Sequence, residues 1–304
     1  MFISSNETVP VESLLSTERV DIAVIGGGYS GVSTALHCAD YGLDVCLIEK
    51  ETIGWGASGR NGGQVIPGLK ELPETIFSSF GLEMGKKIVN LAGNAPDYVF
   101  KLIRENGGIC IADEVQIGFG RMGSHYWGFE TENVIPDIIT VGKSMGNGHP
   151  ISAVVTTREI ADRFNNGMEY FNSFGGNPVS CAVGRSVLKV IEKEKLQENA
   201  HKTGSFLIKL LKNLKKEHAI IGDVRGRGLF IGIELIRDKT TKEPADVESK
   251  QLVNRIKDKG VLLSVDGPFN NVIKLKPPLV FNKENAKFLV NKLGQTLEEI
   301  KQQT

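Results

Sequence analysis

Two short apolar runs, each leading to a charged residue beside a glycine-rich turn, most constrain how this chain can fold. Ile109–Ala112 leads to Asp113 and the turn "QIGFGRMG", and Ile138–Val141 leads to Lys143 and the turn "SMGNG". Apolar runs of this length, bounded by turn residues, are typical of buried strands in an α/β sheet. We therefore predict an acid and a lysine at the ends of two buried strands.

Length, charge and cysteine content exclude several classes of protein. The chain of 304 residues has room for two domains, and its 36 basic and 36 acidic residues balance, which argues against a nucleic-acid-binding surface. The cysteines form no CxxC pair, so neither a metal site nor a disulfide framework is indicated, and we expect buried thiols in the cytoplasm. The sequence shows neither the pattern of a secretory signal nor an apolar run long enough for a membrane span, so we expect no membrane partner.

The segment "VDIAVIGGGYSGVSTALHCADYGLDVCLIEK" predicts a β-α-β unit with a dinucleotide fingerprint. We expect strands at Val20–Ile25 and Val45–Glu49, joined by a helix at Ser30–Tyr41. The GxGxxG glycines are Gly26, Gly28 and Gly31, and the second strand ends at Glu49. Such glycines let the backbone approach a pyrophosphate at the helix start, and the terminal carboxylate can accept ribose hydroxyls.

Residues 20–70 resemble the FAD-dependent amine and amino-acid oxidoreductases of the D-amino-acid-oxidase superfamily. The loop "GWGASGRNGGQ" is similar to that of the glutamylputrescine-oxidase-like branch. The resemblance implies that Gly59–Gln64 lies near the flavin and that Arg60 offers charge to a phosphate. The later strand, substrate sheet and C-terminal flavin segment of that family do not follow. We therefore expect a partial FAD-binding stub, with FAD as a second candidate cofactor.

From Gly107 onward, four motifs resemble those of class III pyridoxal-phosphate aminotransferases in the same order. They are "IADEVQIGFGRMG", "PDIITVGKSMGNGHPISAVV", "NSFGGNPVSCA" and "DVRGRGLFIGIEL". The spelling "GKSMGNGHP" with "FNSFGGNP" is similar to the alanine-glyoxylate-aminotransferase-2-like branch, which includes phospholyases acting on phosphoethanolamine-type amines. The resemblance implies pyridoxal 5'-phosphate as the cofactor and a small amine or amino acid as the substrate.

The same resemblance assigns roles to single residues. Lys143 would form the Schiff base and carry a proton, while Asp113 would keep the pyridine nitrogen of the cofactor protonated. Gln116 is similar to the glutamine that reaches the phenolic oxygen of the cofactor. Ser173 is similar to a hydroxyl residue that, in the family, contacts the cofactor phosphate of the neighbouring subunit. This implies a homodimer if the site functions. Taken alone, Asp113 could cap its turn and Lys143 could be a surface lysine; their occurrence together favours the catalytic interpretation.

Lys274 is the candidate substrate-binding residue. Many class III aminotransferases carry an arginine three residues before "PPL" to hold a substrate α-carboxylate, and here Lys274 occupies that position with Lys276 nearby. Lysine lacks the bidentate fork of arginine. The substitution disfavours an ordinary α-amino acid and fits the phospholyase-like branch better.

The C-terminal pattern completes an α/β fold prediction. Val224–Leu235 predicts one strand of a small antiparallel sheet, followed by strands at Val261–Val265 and Val272–Leu275 and a helix near Lys283–Lys301. We expect a Rossmann-like FAD-binding βαβ stub, a partial type I (aspartate-aminotransferase-like) pyridoxal-phosphate large domain, and an α+β small domain. These would occupy residues 1–106, 107–218 and 219–304.

Three functional interpretations follow from the sequence. The leading one is a class III aminotransferase-like enzyme, impaired because the N-terminal half that supplies the main phosphate loop is replaced by the flavin stub. The second is an FAD-dependent amine or amino-acid oxidoreductase. The third is a chimeric fragment without catalytic activity.

Overall fold

A computed structural model describes residues 13–14, 17–55 and 73–302 of the chain. It divides into two compact units, Met1–Ile66 and Pro67–Thr304. The loop Gly59–Gln64, with Arg60, lies outside the described residues. Within the described part, no helix is both long and apolar enough to cross a membrane.

The first unit contains a β-α-β arrangement close to the predicted one. Strand β1 (Ile22–Ile25) and strand β2 (Val45–Ile48) pair in parallel, and helix α1 (Tyr29–Asp40) connects them. Each element begins and ends within two residues of its predicted bounds. The glycine run after β1 therefore forms the turn that starts α1.

The second unit begins with a helical segment and a three-stranded sheet. Helix α2 (Pro73–Glu105) is interrupted at Gly81, whose φ of 74° lies in the left-handed region. Strands β3 (Ile111–Asp113), β4 (Ile138–Val141) and β5 (Ala153–Thr156) form the sheet in the order β3-β4-β5. β3 runs parallel to β4, and β5 runs antiparallel to it.

Asp137 fastens the end of α2 to the start of this sheet. Arg104 donates to Asp137 across 3.0 Å, and the backbone N–H of Cys110 donates to the same carboxylate across 2.8 Å. The helix end and the first residues of the strand region are therefore held by one acid.

Three helices follow β5. They are α3 (Arg158–Phe164), α4 (Pro178–Lys193) and α5 (Leu196–Glu217). Asn177 caps α4 by accepting from the backbone N–H of Ser180, and Pro178 occupies the first helical turn, where its missing N–H costs nothing. The sequence "GGNP" thus fixes where this helix starts.

The C-terminal region is an antiparallel sheet covered by helices. Its elements are β6 (Ile221–Arg227), β7 (Phe230–Leu235), α6 (Asp246–Lys257), β8 (Ser264–Asp266), β9 (Val272–Leu275) and α7 (Lys283–Lys301). The strands are ordered β6-β7-β9-β8. The single strand predicted over Val224–Leu235 is wrong, because the chain reverses at Gly228, whose φ of 53° suits the turn of a hairpin.

Two burial predictions are also wrong. β3 is not a buried strand, since Ile111 is 59% exposed and Asp113 is exposed. In the described sheet β3 is an edge strand, so only β4 covers it laterally. Cys110 is buried as expected, but Cys181 is exposed on α4.

Candidate active site

The parallel pairing of β3 and β4 places Asp113 and Lys143 at the same edge of the sheet. Asp113 is in register with Thr140, and Lys143 follows the last residue of β4 after one glycine. Parallel strands point their carboxyl ends the same way, and this edge is where α/β folds bind ligands. The two side chains are exposed, so both are accessible to a small molecule.

The neighbouring acids Asp113 and Glu114 have different surroundings. Glu114 is 2% exposed and accepts hydrogen bonds of 2.8 Å from the backbone N–H groups of Gly128 and Phe129. Burial raises the pKa of Glu114 above its ordinary value, although these two hydrogen bonds act in the opposite direction. Asp113 accepts from its own turn, at Val115, across 3.1 Å. Glu114 therefore holds the turn, whereas Asp113 is exposed at the end of β3.

Lys143 stands at a strained backbone position. Its φ is 38°, in the left-handed region that non-glycine residues adopt rarely. The short 3₁₀ turn Lys143–Met145 follows, and His149, farther along the same turn, lies 2.7 Å from the hydroxyl of Ser180 on α4. Strain of this kind concentrates at functional sites. The turn is thus held at both ends with the lysine at its start.

Lys276, which the sequence placed only near the candidate Lys274, contacts a predicted cofactor residue. Its ammonium donates to the side-chain oxygen of Gln116. Burial lowers the pKa of Lys276, and the positive charges of Lys274, Lys143 and Arg121 lower it further. The predicted residues Gln116 and Lys143 therefore both lie near Lys276, which directly precedes "PPL". In the sequence, only the repeated lysines of "KLK" pointed to Lys276.

Lys274, the predicted substrate contact, already has a partner. It donates to Asp266 at the end of β8, and this hydrogen bond is the main cause of the lowered pKa of Asp266. The lysine and the acid are neighbours because β8 and β9 pair antiparallel. A substrate anion at Lys274 would therefore compete with Asp266.

Arg121 joins the turn after β3 to the C-terminal region. One guanidinium nitrogen donates to the backbone oxygens of Leu229, at 3.1 Å, and Pro277, at 2.8 Å. Burial lowers the pKa of Arg121. The backbone N–H of Leu229 also donates to the backbone oxygen of Arg121. This residue, missed by the sequence analysis, holds the "PPL" segment against the strand-end turn.

Ser173 lies in an exposed turn before α4. Asn172 shapes this turn by accepting from the backbone N–H groups of Phe174, at 3.1 Å, and Gly175, at 2.8 Å. Among the described residues, no hydrogen bond joins Ser173 to Asp113 or Lys143. The structure therefore brings Lys143 and Gln116 into the neighbourhood of Lys276 but leaves Ser173 outside that group.

A cavity of about 880 Å³ opens beside the turn that follows Lys143. It is lined by Arg121, Ser144 and His149 on the polar side and by apolar residues of α4 and of Pro278–Val280. Its size is typical of a small-molecule site, but its lining does not include Asp113, Gln116 or Lys143.

The glycines after β1 form a tight turn in the first unit. Gly26 has a φ of 105°, and a Cβ on Gly31 would lie 1.8 Å from the backbone oxygen of Gly26. Glu49 accepts from the backbone N–H of Gly27 across 2.6 Å, and hydrogen bonds from Glu51 and Gly27 lower its pKa. The predicted ribose-binding acid therefore holds the glycine turn itself.

Two parts of the chain match known family models. Residues 94–297 match the family model described as aminotransferase class III. The chain belongs to the class III aminotransferases. Residues 21–69 match a second model, described as an FAD binding domain.

Curated relatives of the chain include proteins named for alanine–glyoxylate aminotransferase 2. The chain is 57% identical over 190 residues to an alanine–glyoxylate aminotransferase 2-like protein of Drosophila melanogaster, covering 62% of this chain and 38% of that one. It is 44% identical over 201 residues to human alanine–glyoxylate aminotransferase 2, mitochondrial, covering 66% and 39%. The chain therefore spans well under half the length of these curated relatives.

A solved structure with the same fold is a phospholyase from Arthrobacter in complex with phosphoethanolamine. It is 46% identical, with a TM-score of 0.64, over 66% of this chain and 47% of that one. The mixed α/β architecture of the class III region is therefore that of an aminotransferase fold.

The residues present fit the cofactor of class III aminotransferases, which is pyridoxal phosphate. The exposed carboxylate of Asp113 and the exposed amine of Lys143 lie at one sheet edge. Gln116 adds an amide whose oxygen accepts a hydrogen bond from Lys276. A carboxylate suits a protonated ring nitrogen, an amine suits an aldehyde carbon, and an amide N–H suits a phenolate.

Proposed function

We propose that the class III region binds pyridoxal 5'-phosphate through Asp113, Gln116 and Lys143 and acts on a small amine substrate. The reaction would be a transamination or a phospholyase-type elimination. The observation that carries the proposal is the parallel register of β3 and β4, which puts the carboxylate and the amine at one sheet edge.

Each residue has a defined task in this proposal. Asp113 keeps the ring nitrogen protonated, because its exposed carboxylate can accept a hydrogen bond from that N–H. The amine of Lys143 binds the aldehyde carbon and, once released, moves a proton at its Nζ. When bound, pyridoxal phosphate supplies an electron sink for the substrate carbon.

The substrate would carry a negative group beside its amine. Lys274 and Lys276 lie next to each other along β9 and the residues that follow it, and Asp266 is the acid that shares their neighbourhood. An anionic substrate group would replace Asp266 on Lys274. The Arthrobacter relative was solved with phosphoethanolamine, an amine of this class.

Assembly and location are part of the proposal. The exposed turn with Ser173 would contact the phosphate of a second subunit's cofactor, which requires a homodimer. The partition into segments 1–106, 107–218 and 219–304, with a Rossmann-like first part and a type I large domain, belongs to the same interpretation. The cytoplasm is the proposed location, although the human relative's name carries the word mitochondrial.

Borohydride trapping tests the proposal directly. Purified protein is incubated with pyridoxal phosphate, reduced, digested and examined by mass spectrometry. The expected result is one pyridoxyl group on Lys143, absent in Lys143→Ala and retained in the control Lys189→Ala, which changes an exposed lysine of α4. Labelling at other lysines with none at Lys143 would overturn the assignment. Phosphate release from phosphoethanolamine then separates elimination from transamination.

An FAD-dependent oxidoreductase is the second candidate, favoured by the close contact between Gly31 and Gly26. Any side chain at position 31 would clash with backbone, as expected of a turn built for a dinucleotide. Flavin absorbance retained after gel filtration, and lost in Gly31→Val, would support it. A protein that retains neither cofactor would support the non-catalytic interpretation.

A further inference from the structure

The contact between Lys276 and Gln116 joins residues 160 positions apart in the sequence. Lys276 follows β9, and Gln116 lies in the turn after Asp113. Both side chains are half-buried, and the ring of Phe230 lies 5.8 Å from the Lys276 nitrogen. The lysine is therefore held between an aromatic face and an amide.

An amide side chain has one end that accepts hydrogen bonds and one end that donates them. A lysine ammonium only donates, so it must face the oxygen of Gln116 and cannot face the NH₂ group. The chemistry of the pair, rather than the placement of two similar atoms, fixes the orientation of the amide.

We propose that Lys276 is a positioning residue that fixes the amide of Gln116 with its oxygen inward and its NH₂ group presented to the cofactor site. The second part of this statement rests on the proposed function, in which Gln116 meets the phenolic oxygen of pyridoxal phosphate. A phenolate accepts and does not donate, so only the NH₂ end of the amide is useful there.

The surroundings of Lys276 make the orientation depend on its protonation. The charged groups that face it are Lys274, Lys143, Arg121 and Asp266. The first three favour the neutral amine, as does burial, whereas Asp266 favours the ammonium. A neutral amine both donates and accepts, so it would no longer select one end of the amide.

The first experiment needs no cofactor. The side-chain amide signals of Gln116 are followed by ¹⁵N NMR across an alkaline titration and identified by their loss in Gln116→Met. We expect them to shift with a midpoint below the ordinary lysine value of 10.5, and we expect Lys276→Met to abolish that shift. The shift would persist in Lys276→Met if the proposal were wrong.

Lys292 offers a matched control. It donates to Gln295 across 3.3 Å and lies 5.6 Å from the ring of Phe288, which repeats the lysine–glutamine–aromatic arrangement on α7. Lys292→Met should leave the Gln116 signals unchanged. Loss of the Gln116 shift in this control as well would contradict a local role for Lys276.

The second experiment measures binding of pyridoxal phosphate and the pH dependence of its absorbance when bound. We expect Lys276→Met to weaken binding roughly tenfold, the size of one charge-assisted hydrogen bond, and to move the absorbance titration. Lys276→Arg, which only donates, should restore the affinity, and Lys276→Gln, which donates and accepts, should not.

The two experiments separate the possible failures. Equal affinity and an equal absorbance titration in wild type and Lys276→Met would overturn the role toward the cofactor. A wild type that binds no pyridoxal phosphate would refute the proposed function, while the amide titration would still decide whether Lys276 orients Gln116. If Lys276→Met does not fold, Lys276→Gln replaces it in both experiments.

Discussion

The two sheets of the second unit are buried to very different extents. In the C-terminal sheet, Ile231 and Ile233 are each 2% exposed, whereas Ile111 and Val154 of the β3-β4-β5 sheet are 59% and 67% exposed. The C-terminal core joins residues from all of its helices and most of its strands, while the buried members of the core near β4, among the described residues, are Phe119, Val141, Ile191 and Leu196. The candidate site residues Asp113 and Lys143 thus lie at the less protected sheet.

In the described residues, the larger apolar core and the candidate site therefore lie on different sheets. Helices α5, α6 and α7 cover the C-terminal sheet and interlock with it. The candidate site lies at the sheet with the smaller of the two apolar cores, and hydrogen bonds of Glu114 and Arg121 hold its turns. Burial of apolar surface is the larger stabilising term, so the C-terminal region should dominate unfolding.

The largest expected effect comes from the C-terminal core. Leu211→Ala, at a position that is 0% exposed, should cost about 3–5 kcal/mol because it leaves a cavity. Ile111→Ala on β3 should cost under about 1 kcal/mol, because that side chain is mostly exposed. Urea unfolding followed by circular dichroism measures both. Equal losses would mean that the two sheets share one core.

A medium effect is expected from the buried acid of the exposed sheet. Glu114→Gln replaces one of two accepting oxygens by an NH₂ group that faces a backbone N–H, which should cost roughly 1–3 kcal/mol at acidic pH. A loss of this size would show that polar contacts, rather than buried apolar surface, stabilise the β3-β4-β5 sheet. Thermal unfolding of both proteins gives the difference.

The same acid predicts a pH dependence. Because its folded pKa is raised above 4.5, its stabilising contribution is full below 4.5 and is lost as pH rises through the folded value. Relative to Glu114→Gln, the wild-type protein should therefore lose stability between pH 4.5 and the raised folded pKa of Glu114. Glu217→Gln, at an exposed position on α5, is the matched control.

The smallest effect is expected at the rim of the C-terminal sheet. Asp266→Asn removes the partner of Lys274 and should cost under about 1 kcal/mol near neutral pH, because the acid is half exposed. Since the pKa of Asp266 is lowered, its contribution is present above 3.8 and lost as pH falls below it. Asp258→Asn is the exposed control, and a loss as large as that of Leu211→Ala would contradict the role of the core.

Local pattern was sufficient for much of the fold. Ile138–Val141, Val272–Leu275 and Lys283–Lys301 have the bounds that the sequence predicted, because their apolar periodicity and turn residues are local signals. The hairpin at Gly228 was missed because apolar alternation continues across it, and only a reversal of the chain distinguishes one strand from two.

From the sequence by itself came the charged residues Asp113 and Lys143, the fingerprint glycines and the motifs of the class III aminotransferases, since each rests on nearby residues and their spacing. Tertiary structure alone decided that Lys276 meets Gln116 and that Arg121 meets Pro277, across 160 and 156 positions. Such contacts exist because the C-terminal region packs against the strand-end turn. A local pattern carries no record of which distant segment will supply the partner, so only the folded chain could show it.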